Sequence, residues 1–284
     1  MASIGAVPDS GRRFDIPADL ATRQYGISGA LLEQLQSSGL PMRQRNGAPF
    51  FDPYDLANAS LHLGLSSIQR MAMRTWARTL QKCDESATLQ ANIKFLPAAA
   101  SPTDPPLHEL RVPLRGNAVH ATGVIYSLLE QFRHYRFFML PEVCRWDMAF
   151  IEAHGICECG GASTLLTMRA RAMDIEARHC FGLLIAEPFS TGHYWTELRI
   201  NGQWIAFDPL LLQLLHAVTR LDPGKWPLHR SNGAALHRLC VIEAYGNTGA
   251  PVLQGFEDQP GIAQPVIVMD GQTLVVSLPT TFIT

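Results

Sequence analysis

His193-Tyr194-Trp195-Thr196-Glu197-Leu198-Arg199-Ile200-Asn201-Gly202-Gln203-Trp204-Ile205-Ala206-Phe207-Asp208-Pro209 reads as two strands joined by a tight turn. Asn-Gly readily takes the two positive φ angles that such a turn requires, and alternating residues flank it on both sides. Pairing the strands brings their far ends together, so His193 and Asp208 are expected side by side. An imidazole held by a carboxylate is a general base in want of a nucleophile.

A thiol is available upstream. In Gly155-Ile156-Cys157-Glu158-Cys159-Gly160-Gly161-Ala162-Ser163, Cys159 stands just ahead of Thr164-Leu165-Leu166-Thr167-Met168-Arg169-Ala170, a run of helical composition. A thiol in the first turn of a helix faces the positive end of the backbone dipole and unpaired N–H groups, which favours its thiolate. Each residue also has a bland reading: His193 a surface strand histidine, Asp208 a turn residue before Pro209, Cys159 a buried thiol. Their joint occurrence at these spacings points to Cys159, His193 and Asp208 as one catalytic set.

The stretch resembles the core of the transglutaminase-like superfamily. That pattern runs Gly-x-Cys, a helix, Gly-Ile-Pro-Ala-Arg, His-Ala-Trp-x-Glu and Trp-x-x-x-Asp-Pro. Here it is met by Cys159, Asp174-Ile175-Glu176-Ala177-Arg178, His193-Tyr194-Trp195-Thr196-Glu197, and Trp204 followed by Asp208-Pro209. Two departures matter. Gly155 and Cys157 satisfy Gly-x-Cys literally, whereas the spacing to Arg178 selects Cys159, so the nucleophile is a choice between two thiols and Cys159 is preferred. Asp174 and Glu176 replace the usual Gly and Pro in a loop between helix and strand.

The resemblance implies an α+β, papain-like core, with the nucleophile helix packed on an antiparallel sheet. It also implies thiol-dependent acyl transfer through a thioester acyl-enzyme. The superfamily spans amide-bond formation onto an amine and hydrolysis by peptidases, amidases or deamidases, and the triad does not discriminate between them. Transfer to an amine is the preferred reading, with a peptide amide or a carrier-bound thioester as acyl donor and a carrier protein as a candidate partner. That choice rests on analogy with a branch of the superfamily that forms amides in natural-product assembly. A catalytically silent binding or regulatory module is the third reading, disfavoured by the presence of all three polar residues among Trp195, Glu197 and Trp204.

Composition narrows the rest. In 284 residues, charged side chains make up 17% and hydrophobic ones 47%, so a packed globular chain is expected. A formal net charge of −2 gives no global attraction to nucleic acid or anionic membrane. No apolar run is long enough for a membrane helix, and charges and Pro8 occupy the start where a signal peptide would be apolar, so a cytoplasmic protein is expected. Six scattered cysteines suit a reducing compartment. Cys157-x-Cys159 lacks a second ligand pair at zinc-like spacing, and no nucleotide fingerprint is present, so neither metal nor cofactor is expected.

Along the chain, residues 1–20 read as a flexible tail and residues 21–96 as a mainly helical module. Ser28-Gly29-Ala30-Leu31-Leu32 and Phe51-Asp52-Pro53-Tyr54-Asp55-Leu56 resemble the winged helix-turn-helix modules of excisionases. Over residues 23–78, Arg23, Arg43, Arg45, Arg70, Arg74 and Arg78 outnumber Glu33, Asp52 and Asp55, yet a fused catalytic core gives the module an easier role in packing or docking, and DNA binding is not expected. Residues 97–106, Pro- and Ala-rich, read as a linker or surface loop, leaving 107–284 as the catalytic domain. Within it the apolar pattern over Asn117 to Phe138 predicts a helix, Val143 to Glu152 a short helix, His179 to Ile185 a buried strand, and Leu210 to Val218 a helix. Asp270-Gly271 marks a further hairpin. Trp146 and Glu158 are candidates for the cleft wall.

Overall fold

The computed structural model describes residues 2–85, 89–95, 108–114, 118–246, 249, 251–252, 268–269, 273–274 and 277–283. The linker-like Ala98–Pro106 segment and the Asp270-Gly271 turn lie outside them.

Residues 2–17, read from sequence as a loose tail, pack into the core through Ile4, Val7, Phe14 and Ile16. Arg12 is buried, donating from Nε to Asp55 Oδ2 at 2.7 Å and to the carbonyls of Ile4 and Val7. Ile16–Pro17 pairs with Phe50–Phe51. Helices α1 (Ala18–Tyr25) and α2 (Gly29–Ser37) follow, the second capped by the Ser28 hydroxyl, which accepts from the Leu31 amide. Strands β1 (Met42–Arg45) and β2 (Ala48–Phe51) form a hairpin turned at Asn46 and Gly47, both at positive φ. Asp52 then caps α3 (Pro53–His62), and α4 (Ile68–Glu85) buries Met73, Ala77, Leu80 and Cys83 along one face.

Strands β3 (Gln90–Phe95) and β4 (His108–Pro113) pair with each other, so residues 90–95 belong to the main sheet and not to the helical module. The single helix expected from Asn117 to Phe138 is shorter. It is α5 (Gly123–Glu130), then a 3₁₀ turn at Gln131–His134, then a two-residue bridge in which Arg136–Phe137 runs parallel to Ile156–Cys157. Leu128, Leu129 and Phe132 are buried as the apolar pattern implied, whereas Val124 is 51% exposed and Val119 and Ile125 are only partly buried, so the pattern reported burial in its second half alone. Likewise Val143 to Glu152 divides into one turn, Glu142–Arg145, and α6 (Met148–His154), restarted by an Asp147 cap on the Phe150 amide.

Helix α7 (Cys159–Ala172) lies on strands β5 (Ala177–Leu184) and β6 (Phe189–Ile200). Asn201 and Gly202, at φ 50° and 80°, turn β6 into β7 (Gln203–Phe207), which leads directly into α8 (Pro209–Val218). The sheet is completed by β8 (Leu236–Ile242) and β9 (Ser277–Ile283). Its order is β8-β5-β6-β9-β3-β4, with β7 also on β6, and every pairing is antiparallel. This is the α+β architecture expected from the sequence, a helix carrying the candidate thiol against an antiparallel sheet. The core between them is built from Leu165, Leu166, Ala170, Ala177, Leu198, Phe207 and Leu210.

Candidate active site

Cys159 is the first residue of α7, and the Glu158 carbonyl accepts the first helical bond, from the Ala162 amide at 2.9 Å. The N–H groups of Cys159, Gly160 and Gly161 are thus first-turn donors without an acceptor inside the helix. The two glycines are needed for contact. A Cβ on Gly160 would lie 2.3 Å from Trp146 Cη2, and one on Gly161 2.5 Å from Ile151 Cδ1 and 2.9 Å from the Arg145 carbonyl. Their bareness lets the Trp146 ring and α6 press against the helix start and hold Cys159 at a fixed height.

Cys157, two residues earlier, is in the opposite situation. It is paired into the bridge with Phe137, has no exposed surface, and belongs to the core under α7. Burial first, then the neighbouring Asp208 and Cys159 charges, push its thiol far up. Cys159 is partly exposed.

His193 lies on β6 and Asp208 just past β7. The β6–β7 ladder ends at Thr196 opposite Phe207, and continuing it by one residue would set Asp208 opposite Trp195, two residues short of His193. The contact is made because Asp208 leaves the strand to cap α8. Its Oδ1 accepts from the Leu211 amide at 2.9 Å while Oδ2 meets His193 Nε2 at 2.5 Å. With Nε2 so engaged, Nδ1 is the ring nitrogen left to face the Cys159 sulfur, which lies near enough to act on the ring electrostatically. Burial alone would pull the imidazole down. The negative Cys159 sulfur and the Asp208 hydrogen bond outweigh it and raise His193 to about 10. The structure therefore joins His193 to Asp208 by a direct hydrogen bond and sets Cys159 near the same imidazole.

Around this chain, polar groups fix the backbone. Glu158, next to the thiol, accepts from the Leu140 amide at 2.6 Å and pairs with Arg145 Nε at 3.1 Å, so it braces the helix start from below and does not line the cleft. Trp146 donates from Nε1 to Glu142 and meets Tyr194 edge-on at 5.6 Å. Tyr194 is close enough that charge on Cys159, after burial, pushes its phenol up. On the next turn of α7, Ser163 donates to the Gly160 carbonyl and contacts His179 Nε2 at 2.7 Å, and the other His179 nitrogen meets the Tyr245 hydroxyl at 2.9 Å. Burial, aided by Arg171, holds His179 neutral, lowering it to about 3. Glu197 receives Arg178 Nε at 2.6 Å and Arg238 Nη1 at 2.7 Å, and Arg178 stacks over Trp204 at 4.3 Å.

Arg178 thus links Glu197 and Trp204, three residues that the sequence motif named without placing them together. Ser163, His179, Tyr245, Arg145 and Arg238 were not foreseen, because their roles depend on partners distant in sequence. Only His179, an imidazole inside an apolar strand, carried a signal that could have drawn notice.

Residues 146–209 match a family model described as the transglutaminase-like superfamily. No curated protein matches the chain. Among solved structures it is similar to a "Putative Cysteine Protease from Cytophaga hutchinsonii", at 14% identity and a TM-score of 0.24, over 55% of this chain and 51% of that one. The chain thus spans about half the length of that structure. With the family pattern and the antiparallel α+β core in agreement, the chain carries a transglutaminase-like superfamily domain, centred on residues 146–209.

Proposed function

We propose that the protein is an acyltransferase in which Cys159 is the nucleophile, His193 the general base and acid, and Asp208 the group that orients the imidazole. The observation that carries this reading is the buried His193–Asp208 hydrogen bond, with Cys159 at the start of α7 near the same imidazole. The Cys159 proton passes to His193, and the thiolate attacks the acyl carbon of a peptide amide or a carrier-bound thioester. First-turn N–H groups of α7 are suited to receive the oxyanion. The C–N or C–S bond then breaks, the leaving group takes the proton from His193, and a thioester to Cys159 remains. An amine attacks that thioester, gives its proton to His193, and departs as an amide while the thiolate is restored.

Water in place of the amine would make the protein a hydrolase. His193 is 6% exposed and Asp208 5%, which limits access of any second nucleophile to the base, and the preference for an amine rests on analogy with the amide-forming branch of the superfamily. The test is intact-protein mass spectrometry after incubation with a glutaminyl peptide and, separately, a carrier-bound thioester, followed by addition of a primary amine. An acyl adduct on Cys159 that is discharged as an amide supports the reading. Discharge only to the free acid assigns the hydrolase reaction, and no adduct from either donor removes the proposal.

A further inference from the structure

At the other end of α8 from Asp208, its last turn and α4 enclose a groove of about 690 Å³ lined by Arg70, Arg74, Arg78 and Arg220, with Ala77 and Val218 on its floor. Arg70, Arg74 and Arg78 recur every fourth residue, so they rise along one side of α4 in steps of about 6 Å. Among the described residues, no acidic side chain lines the groove.

The four arginines are not equivalent. Arg70 closes the structure, donating to the Leu61 carbonyl at 3.2 Å and the Val218 carbonyl at 3.1 Å, which are the negative ends of α3 and α8. Its Nε is buried without a hydrogen-bond partner among the described residues. Arg74, Arg78 and Arg220 are exposed and form no ion pair among the described residues. Other basic residues of the N-terminal part are occupied. Arg23 pairs with Asp19, Arg43 stacks over Phe14 and Arg45 over Phe50. Three free guanidinium forks on a concave surface match an oxyanion with several acceptor atoms, and the volume falls within the range of about 300 to 1,000 Å³ typical of small-molecule sites.

We propose that this groove binds a phosphorylated small molecule, with Arg74, Arg78 and Arg220 as its phosphate ligands. The site is separate from the thiol chemistry and does not depend on it.

The test uses the full chain and inorganic pyrophosphate as probe, with binding followed by calorimetry at fixed salt. Saturable binding to the wild type is expected, weakening by about tenfold or more in Arg74→Ser and in Arg78→Ser. Arg220→Ser, on the opposite wall, is expected to weaken it similarly. Circular dichroism confirms the fold of each variant, and Arg78→Lys, which keeps charge but loses the fork, should bind between wild type and Arg78→Ser. Cys159→Ala should bind as wild type does, so failure of the catalytic reading leaves this result intact. Absence of binding, or binding unchanged by all three substitutions, overturns the proposal. So does a short DNA duplex that binds more tightly than pyrophosphate and loses affinity in the same variants, which would assign the groove to nucleic acid.

Discussion

Cys157 and Cys159 are separated by one residue, carry the same functional group and lie in one motif, yet the fold gives them opposite characters. Cys157 hangs from a two-residue bridge into the core, where neighbouring negative charge and low dielectric keep its proton on. Cys159 starts a helix, lies near an imidazole and meets solvent. Only backbone conformation separates them: the extended Glu158, at φ −95° and ψ 174°, turns the chain from strand to helix and moves the second thiol out of the core. The lesson is that thiol reactivity here is set by secondary structure more than by sequence neighbourhood.

The sharpest way to break that contrast is to remove each sulfur. Cys159→Ala is expected to abolish acyl transfer and alkylation by iodoacetamide at neutral pH, and retained labelling would place the reactive thiol elsewhere. Next in size, Asp208→Asn should lower turnover by about two to four orders of magnitude, because Oδ2 fixes the His193 tautomer. A rate within about twofold of wild type would take Asp208 out of the mechanism.

A pH measurement probes the same link. Because His193 is raised to about 10 from an ordinary value near 6.5, the folded protein keeps a proton that the unfolded chain loses. The stability it contributes is complete below about pH 6.5 and fades as pH climbs toward about 10. The gap in urea midpoint between wild type and His193→Gln should therefore narrow over that window. A gap independent of pH would contradict the raised imidazole.

Smaller effects are expected from packing. Gly160→Ala drives a methyl into Trp146, a ring already tied to Glu142, and overpacking of this kind costs roughly 1 to 3 kcal/mol. Its turnover should fall by about tenfold and recover in part when Trp146→Ala is added, as steady-state assays would show. Cys157→Ala, smallest of all, should cost about 1 kcal/mol in denaturant unfolding and leave turnover within about threefold. If Cys157→Ala were silent in catalysis only because Cys159 were also silent, the first experiment would already have shown it.

The site was legible in sequence because its signals are local. Asn201-Gly202 announces its own turn, and the helical run that follows Cys159 puts that thiol at a helix start. What escaped reading was settled by partners far along the chain. Nothing in residues 2–17 announces that Arg12 will be buried against Asp55, and nothing in Ser277–Ile283 says that it will lie between β6 and β3. The choice between Cys157 and Cys159 was open for the same reason, since it turns on a bridge to Phe137. The helix expected to reach Phe138 shows the converse error, in which periodic burial was taken for continuous helix although the chain tightens after Glu130.

The placement of β9 has a consequence for how the molecule comes into being. Pro279 to Ser277 zip onto the first residues of β6, and Thr280 to Ile283 onto β3, so one late segment joins the half of the sheet made early to the half that carries His193. During synthesis the early strands must wait with an open edge until that segment arrives, and such long-range closure is slow. Until residues 277–283 are made, β3 and the first residues of β6 each lack the partner strand that joins them, the interval in which edge-to-edge pairing with another chain is easiest.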